Sequence, residues 1–147
     1  MNLNYLSSNG GKVAKFKVAP GEIVFADTYR YTIQGNKIKF PVRCRIVVTN
    51  QRIVYFDMGK MAPFYFQLGF LLQLLVKGRP VSLPLGNLKV SRGKYAKNTK
   101  LLLLSTDDGK EVFLDRFEKS FKWFQDTITQ NGVGLSQLAE EEWRVSI

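Results

Sequence analysis

The stretch that decides the fold runs from Lys37 to Asp57 and reads KIKFPVRCRIVVTNQRIVYFD. Its first half alternates between apolar side chains and side chains that are mostly basic, which is the period of a β-strand with one packed face. The apolar positions are Ile38, Phe40, Val42, Cys44, Ile46 and Val48, and the opposite positions are Lys37, Lys39, Pro41, Arg43 and Arg45. The pattern predicts a strand over 37–48 with one buried face and one basic face.

Short turns connect this strand to one strand on each side. Residues 49–51 lead into the apolar strand 52–57, and the turn residues 34–36 follow the β-branched and aromatic segment 22–33. Three sequential strands with turns this short form an antiparallel meander. Because Pro41 has no N–H to donate to a ladder, the middle strand is expected at a sheet edge or with a bulge there. Asn50 is expected to shape its turn, since Asn tolerates left-handed backbone and bonds locally.

Further strands are predicted in the second half of the chain. Strand-like composition resumes over 81–90, whereas the basic segment 91–100 has the composition of turns. Residues 101–114 predict a hairpin around Asp107-Asp108-Gly109, and those two acidic side chains are interpreted as turn residues. About seven strands are expected in all.

A closing helix follows the hairpin. Asp115 and Glu118 have the spacing of a capping box, and Asn131-Gly132 supplies a stop. The apolar stripe between them consists of Phe117, Phe121, Phe124 and Ile128. This amphipathic helix is expected to cover a sheet face. For the acidic segment 133–147, a short helix, an arm and a disordered tail are left as alternatives.

A segment without charged residues separates the two halves. Residues 61–76 read MAPFYFQLGFLLQLLV, and their apolar side chains would occupy every side of a helix. Such a helix spans about 24 Å at 1.5 Å per residue, which is shorter than the ~30 Å hydrocarbon core of a bilayer. The chain is therefore not expected to be an integral membrane protein.

The composition excludes most catalytic and metal chemistry. The 147 residues contain no histidine and one cysteine, Cys44, so imidazole-based triads, histidine metal ligands and internal disulfides are not expected. A lone thiol is typical of a reducing compartment, and residues 1–11 lack the apolar core of a secretory signal. We expect an intracellular, cytoplasmic protein of one domain with no cofactor, no metal and no enzymatic activity.

The net charge of +10 is concentrated in the region of the predicted strands. Residues 28–106 contain 14 Lys or Arg against one acidic residue, whereas residues from 107 onward contain nine acidic residues against five basic ones. A basic field of this kind favours an anionic partner, such as lipid headgroups, nucleic acid or an acidic protein surface. The alternative is that the charge serves only to keep the protein in solution.

Three short motifs occur in a recognisable order. Pro20-Gly21-Glu22-Ile23-Val24 begins the first strand, Val48-Thr49-Asn50-Gln51-Arg52-Ile53-Val54-Tyr55 spans the second turn, and Val81-Ser82-Leu83-Pro84-Leu85 follows the apolar segment. They resemble the GRAM and bacterial PH-like families, which have a Gly-Glu start, a Leu-Thr-Asn-x-Arg turn and an Ile-x-Ile-Pro strand at these places. The resemblance covers about residues 20–132.

This resemblance implies the pleckstrin-homology (PH) superfold, which is mainly β. It is a seven-stranded antiparallel sandwich or partial barrel capped by a C-terminal amphipathic helix. The expected domain occupies residues 20–132, after an N-terminal extension over 1–19 and before a C-terminal tail over 133–147. An apolar, helical insertion over 58–80 is expected between strands 3 and 4. The resemblance also implies binding of membrane lipids or proteins without catalysis.

The first functional hypothesis is peripheral binding to anionic membrane lipids at the inner face of the membrane. Some PH domains hold phosphoinositides with basic residues around the first two strands. The candidate anion-binding residues here are Arg30, Lys37, Lys39, Arg43 and Arg45. Cations on one face of a strand lie about 7 Å apart, so they would contact several phosphates. Each cation near an anionic surface contributes ~1 kcal/mol to binding. The alternative is a solvated strand face.

The apolar segment leads to the second hypothesis, a protein-interaction or homo-oligomerisation module. Its candidate residues for membrane or partner contact are Phe64, Tyr65, Phe66, Phe70, Leu71 and Leu72. Three alternatives stay open, because the segment could cover an open end of the sandwich, enter a membrane interface or form a homodimer seam. Nucleic acid is a third partner class, for which the basic segment 89–100 lacks a stacking platform or a helix-turn-helix pattern.

Overall fold

The computed structural model describes residues 16–33, 41–57 and 79–147, which form nine strands and one helix. The strands are β1 (Val24–Ile33), β2 (Val42–Thr49), β3 (Arg52–Asp57), β4 (Arg79–Pro84), β5 (Lys89–Tyr95), β6 (Asn98–Ser105), β7 (Glu111–Asp115), β8 (Gly134–Ala139) and β9 (Glu142–Ser146). The helix α1 (Phe117–Thr129) lies between β7 and β8. The protein is mainly β, as the sequence predicted. The apolar segment 61–76, the predicted turn 34–36 and the first residues of the predicted strand 37–48 lie outside the described residues.

All nine strands belong to one antiparallel sheet in the order β4-β3-β2-β1-β7-β6-β5-β9-β8. Within the described ranges the sheet is not closed into a barrel, and β4 and β8 are its edges. β1 joins the two halves unequally. It pairs with β2 from Val24 to Thr32, whereas its pairing with β7, as far as the described residues extend, consists of Thr32 with Leu114 and Ile33 with Phe113. This short junction is called the β1–β7 seam below.

The inner face of the sheet carries the main core. The predicted apolar positions of β2 within the described residues, Val42, Cys44, Ile46 and Val48, are all buried. One cluster joins residues of β2 to β7, the C-terminal hairpin and α1, including Ile46, Leu104 and Phe124. Because both halves of the sheet contribute to the same cluster, the sheet curves around it and α1 closes it. Each fully buried side chain of this size contributes about 1.5–3 kcal/mol.

The outer face of β2 is buried as well, which corrects the prediction of one basic face. Val47, Val54 and Phe56 pack with Phe16 on that side, and Arg45 is only 3% exposed. β2 also lies between β1 and β3 and not at an edge. Pro41 is compatible with this central position because it precedes the first residue of β2, where no ladder hydrogen bond is needed.

α1 presents the predicted apolar stripe to the core, but its start differs from the prediction. Phe117, Phe124 and Ile128 are buried. No side chain caps the helix, so the expected capping box is wrong. The residue before α1 is instead Arg116, which has left-handed backbone with φ 60. At the other end the predicted stop is confirmed, because α1 ends at Thr129 and Gly132 has φ 83.

Two segments between β3 and β6 differ from their predicted structures. The segment 81–90 is not one strand, because a turn over 85–88 separates β4 from β5. β4 already begins at Arg79, so the insertion ends before residue 80. The segment 91–100 is not mainly turns. It continues β5 to Tyr95, reverses at Ala96 with φ 53, and begins β6 at Asn98.

The C-terminal segment adopts none of the three predicted structures. It forms the β8–β9 hairpin, and β9 extends the sheet by pairing with β5. Trp143 lies against Phe121 of α1 with a ring-centroid distance of 4.2 Å, and Val145 is buried. These apolar contacts explain why an acidic segment forms part of the sheet.

Candidate functional site

The three sequence motifs meet at one corner of the sheet, here called the motif corner. Arg52 donates from Nε to Glu22 Oε2 at 2.8 Å and from Nη2 to Glu22 Oε1 at 3.0 Å. Thr49 Oγ1 donates to the same carboxylate at 2.6 Å. The third motif joins through Ser82 Oγ, which accepts a hydrogen bond from Arg52 Nη1 at 3.4 Å. Residues separated by about thirty positions therefore form one hydrogen-bonded network.

Asn50 fastens this corner to the start of β1. Its Oδ1 accepts from the Ile23 N–H at 2.8 Å, and its Nδ2 donates to the Gly21 carbonyl at 3.0 Å. The structural role predicted for Asn50 is confirmed, although the reason differs. Asn50 is not among the described residues that have positive φ. Thr49 Oγ1 accepts hydrogen bonds from the N–H groups of Gln51 and Arg52 within the turn, and the Asn50 side chain joins the turn to the start of β1.

The hydrogen bonds of the motif corner stabilise the fold. Glu22 is buried, and burial alone raises the pKa of its carboxyl. Hydrogen bonds from Arg52, the Ala19 N–H and Thr49 outweigh that effect and hold the pKa of Glu22 below its ordinary value of 4.5. Both carboxylate oxygens of Glu22 accept hydrogen bonds within the chain, so this carboxylate stabilises the corner.

Arg45, a predicted anion-binding residue, is already paired within the sheet. Its Nε and Nη2 reach Asp27 Oδ1 and Oδ2 at 2.9 Å and 2.7 Å, and its guanidinium lies 5.1 Å from the Phe56 ring centroid. The two side chains are 3% and 1% exposed. Arg45 is therefore removed from the candidate anion site, because its charge is neutralised in the interior.

The strand register separates the other two predicted arginines that the structure describes. Arg30 is opposite Cys44, whereas Arg43 is opposite Tyr31. Directly opposite residues share a face and successive residues alternate between faces, so Arg30 and Arg43 lie on opposite sides of the sheet. Arg30 is therefore not the neighbour of Arg43 that the sequence analysis predicted. Lys37 and Lys39 lie outside the described residues, as do the six aromatic and leucine residues predicted for membrane or partner contact.

Arg30 lies in a cleft between β1 and the start of α1. The cleft has a volume of about 530 Å³ and is lined by Tyr29, Arg30, Tyr31, Pro41, Asp115, Arg116, Lys119 and Ser120. Consecutive residues of a strand point to opposite faces, so three in a row can line one cleft only along the edge of the strand. The cleft thus opens where β1 separates from β7, and we call it the cationic cleft.

Three cations dominate this cleft. Arg30, Arg116 and Lys119 line it together with one carboxylate, Asp115. Within the described part of the chain none of the three forms an ion pair. Arg30 lies over the Trp123 ring at 4.5 Å, and burial lowers the pKa of its guanidinium. The guanidinium nevertheless remains protonated, because arginine does not lose its proton in proteins. An anion in the cleft would therefore neutralise the half-buried charge of Arg30.

Arg116 and Lys119 were not predicted as site residues. They lie at and just after the start of α1, where the helix dipole disfavours cations. Two cations at a predicted helix start, where acidic side chains are preferred, could therefore have indicated a site from the sequence alone. A second cleft of about 520 Å³ lies on the other side of the helix start, shares Asp115, Arg116 and Lys119, and adds Arg92 and Lys100. Glu118 also lines this second cleft, and Arg92 is paired with Glu141 at 2.8 Å, so the second cleft is less basic than the first.

The acidic C-terminal hairpin covers part of the basic segment 89–100. Arg92 pairs with Glu141 at 2.8 Å and Lys89 pairs with Glu142 at 3.4 Å. Tyr95 packs against Phe113 with a ring-centroid distance of 5.6 Å. The segment that could have bound nucleic acid has thus lost two of its cations to ion pairs and its aromatic ring to a packing contact.

Comparisons with known proteins do not assign this chain to a family. No family model matches the sequence, and no curated protein matches it significantly. In the part of the chain that the structure describes, no helix is long and apolar enough to span a bilayer. The same residues contain no group of three or more His, Cys, Asp or Glu placed to hold a metal ion. The function is therefore argued from the clefts and their charges.

Proposed function

We propose that the protein is a non-catalytic, PH-like binding module that associates peripherally with anionic membrane surfaces through the cationic cleft. The observation that carries this proposal is the cluster of Arg30, Arg116 and Lys119, which has one carboxylate beside it and no ion pair among the described residues. Each such cation contributes ~1 kcal/mol at an anionic surface. Three together give an attraction of about 3 kcal/mol before any apolar contact is counted.

The sheet order supports the PH-like part of the proposal. β1 to β4 form one half in meander order, β5 to β7 form the other, and a single helix follows the seventh strand. That is the layout which the three motifs imply by resemblance. The β8–β9 hairpin is an addition to it.

The shape of the cationic cleft suits a phosphorylated headgroup. Its volume lies within the range of small-molecule sites, and arginine can bind phosphate with two parallel hydrogen bonds. Tyr31, which is 53% exposed, forms part of the rim. An exposed tyrosine beside cations is typical of a surface that meets the polar boundary of a bilayer.

Vesicle co-sedimentation tests the proposal. We expect the protein to bind vesicles containing acidic phospholipids and not vesicles of phosphatidylcholine alone. The double variant Arg116→Gln with Lys119→Gln should weaken binding to acidic vesicles about tenfold or more, because two contributions of ~1 kcal/mol are lost.

The matched control is Lys94→Gln with Lys97→Gln. It removes the same charge from two exposed positions at the β5–β6 turn, away from the cleft. If the two double variants weaken binding equally, attraction depends on net charge alone and the cleft has no special part. Equal recovery of the wild-type protein on acidic and neutral vesicles would exclude the membrane function. Partner binding through residues 61–76 stays a prediction, since that segment lies outside the described residues.

A further inference from the structure

The two edges of the sheet differ in how they are protected against pairing. β4 reads RPVSLP, and its prolines Pro80 and Pro84 cannot donate hydrogen bonds to an added strand. β8 reads GLSQLA and contains neither proline nor a charged residue. Charged residues and prolines are the usual devices that keep sheet edges from pairing, so β8 lacks most of that protection.

β8 is also accessible. Of its six residues only Leu135 is half-buried, and Leu138 is 52% exposed. β9 occupies one side of β8, and among the described residues no strand pairs with the other side. The ladder with β9 is regular from Gly134 to Gln137, and the irregularity comes only after Gln137. These four residues present an ordered row of backbone groups.

We propose that β8 is a self-association edge, which pairs antiparallel with β8 of a second copy of this chain. An antiparallel strand pair is self-complementary about a two-fold axis, so one edge suffices for both partners. The sheets of the two copies then continue into one another. Backbone hydrogen bonds along the edge supply the contact, as in other strand additions.

Charge opposes a second copy less at this edge than at the basic surfaces that the structure describes. The protein has a net charge of +10, so two copies repel each other over most of their surfaces. Residues 134–147 carry three glutamates and one arginine, and β8 itself is uncharged. An antiparallel β8 pair therefore brings no like charges directly opposite each other, which is the arrangement that destabilises strand pairs.

The geometry of such a dimer bears on membrane binding. The two-fold axis of an antiparallel strand pair is perpendicular to the sheet, so both α1 helices lie on the same side of the joined sheets. Both cationic clefts, which are formed at the starts of these helices, then face the same side. Two clefts on one side bind a surface with greater avidity than one. This consequence rests on the proposed function, whereas the dimer itself does not.

Sedimentation velocity without lipid tests the dimer over a concentration series. A six-residue edge buries less surface than a standard stable interface, so we expect a concentration-dependent equilibrium between monomer and dimer. The variant Gln137→Lys with Leu138→Lys should remain monomeric throughout, because it places lysines along the pairing edge. The control Thr99→Lys with Ile23→Lys adds the same charge at two exposed positions on other elements and should dimerise more than the edge variant.

Single cysteines give an independent readout. Opposite residues of an antiparallel pair have Cα atoms about 4.5–5.5 Å apart, which a disulfide can bridge. Ser136→Cys or Gln137→Cys should form an intermolecular disulfide on mild oxidation, whereas Thr99→Cys should not, and the native Cys44 is buried. A wild-type protein that stays monomeric at every concentration overturns the proposal, as does a dimer that survives the edge lysines. Because no lipid is present, either result leaves the membrane proposal to its own test.

Discussion

Arginine is used in opposite ways in two regions of the molecule. Arg45 and Arg52 are each held by a buried carboxylate of the same sheet, Asp27 and Glu22. Arg30 and Arg116 line the cationic cleft, and within the described residues they have no acidic partner. The first pair stabilises the fold, and in the function that we propose the second pair binds an anionic ligand. A count of basic residues along the sequence cannot separate the two uses.

The largest effect is expected where a buried pair is broken. Arg45→Ala leaves Asp27 buried without its cation, and the free energy of unfolding should fall by roughly 3–5 kcal/mol. Denaturant unfolding followed by fluorescence measures this loss. The double variant Arg45→Met with Asp27→Leu removes both charges and should lie much closer to the wild-type stability. A loss below about 1 kcal/mol for Arg45→Ala would show that the pair behaves like an exposed one.

A smaller, pH-dependent effect is expected at the motif corner. The folded pKa of Glu22 lies below its ordinary value of 4.5, so its contribution to stability is present above pH 4.5 and is lost as the pH falls through the folded pKa. Glu22→Gln should lower the free energy of unfolding by about 1–3 kcal/mol at pH 7 and flatten its decline below pH 4.5. Thermal unfolding from pH 7 to pH 3 measures both. Parallel curves for the two proteins would contradict the linkage.

The smallest effect has the opposite sign and concerns Arg116. A residue with a Cβ pays for left-handed backbone, so Arg116→Gly should raise the free energy of unfolding by up to about 1 kcal/mol. Arg116→Ala is the control, because it removes the same charge and keeps the Cβ. Both variants should weaken binding to acidic vesicles by the same factor of about five, which corresponds to one cation worth ~1 kcal/mol, while only the glycine variant gains stability. A glycine variant less stable than the alanine variant would show that this backbone is not strained.

The sequence predicted the class of fold from the alternation over 37–48 and the stripe along α1. It could not predict that β2 is buried on both faces. Alternation with a period of two distinguishes the two faces of a strand but does not show whether one face or both are buried. The burial of Arg45 depends on its ion pair with Asp27, which lies on the neighbouring strand β1. The C-terminal hairpin was missed because β8 lacks β-branched residues and three glutamates precede Trp143. Its stability comes from tertiary contacts of Trp143 and Val145.

The candidate site was predictable only in part. Arg30 was predicted as an anion-binding residue beside Arg43, but the pairing register places it next to α1 and on the other face from Arg43. Register is the set of residues that lie opposite one another on neighbouring strands. The local sequence pattern of one strand does not determine it. Arg116 and Lys119 were overlooked because Asp115 and Glu118 gave a capping interpretation to this part of the chain. The unusual feature there was a pair of cations at a helix start.

The position of the cationic cleft beside the β1–β7 seam links ligand binding to the stability of the sheet. Among the residues that the structure describes, two residue pairs join β1 to β7, and the cationic cleft opens directly beside them. Arg30 belongs to one side of that junction, and Arg116 belongs to the other. An anion bound by both arginines would connect the two halves of the sheet across this short junction. Ligand binding and resistance of the two halves to separation are then one property, and a bound headgroup would raise the unfolding temperature by mass action.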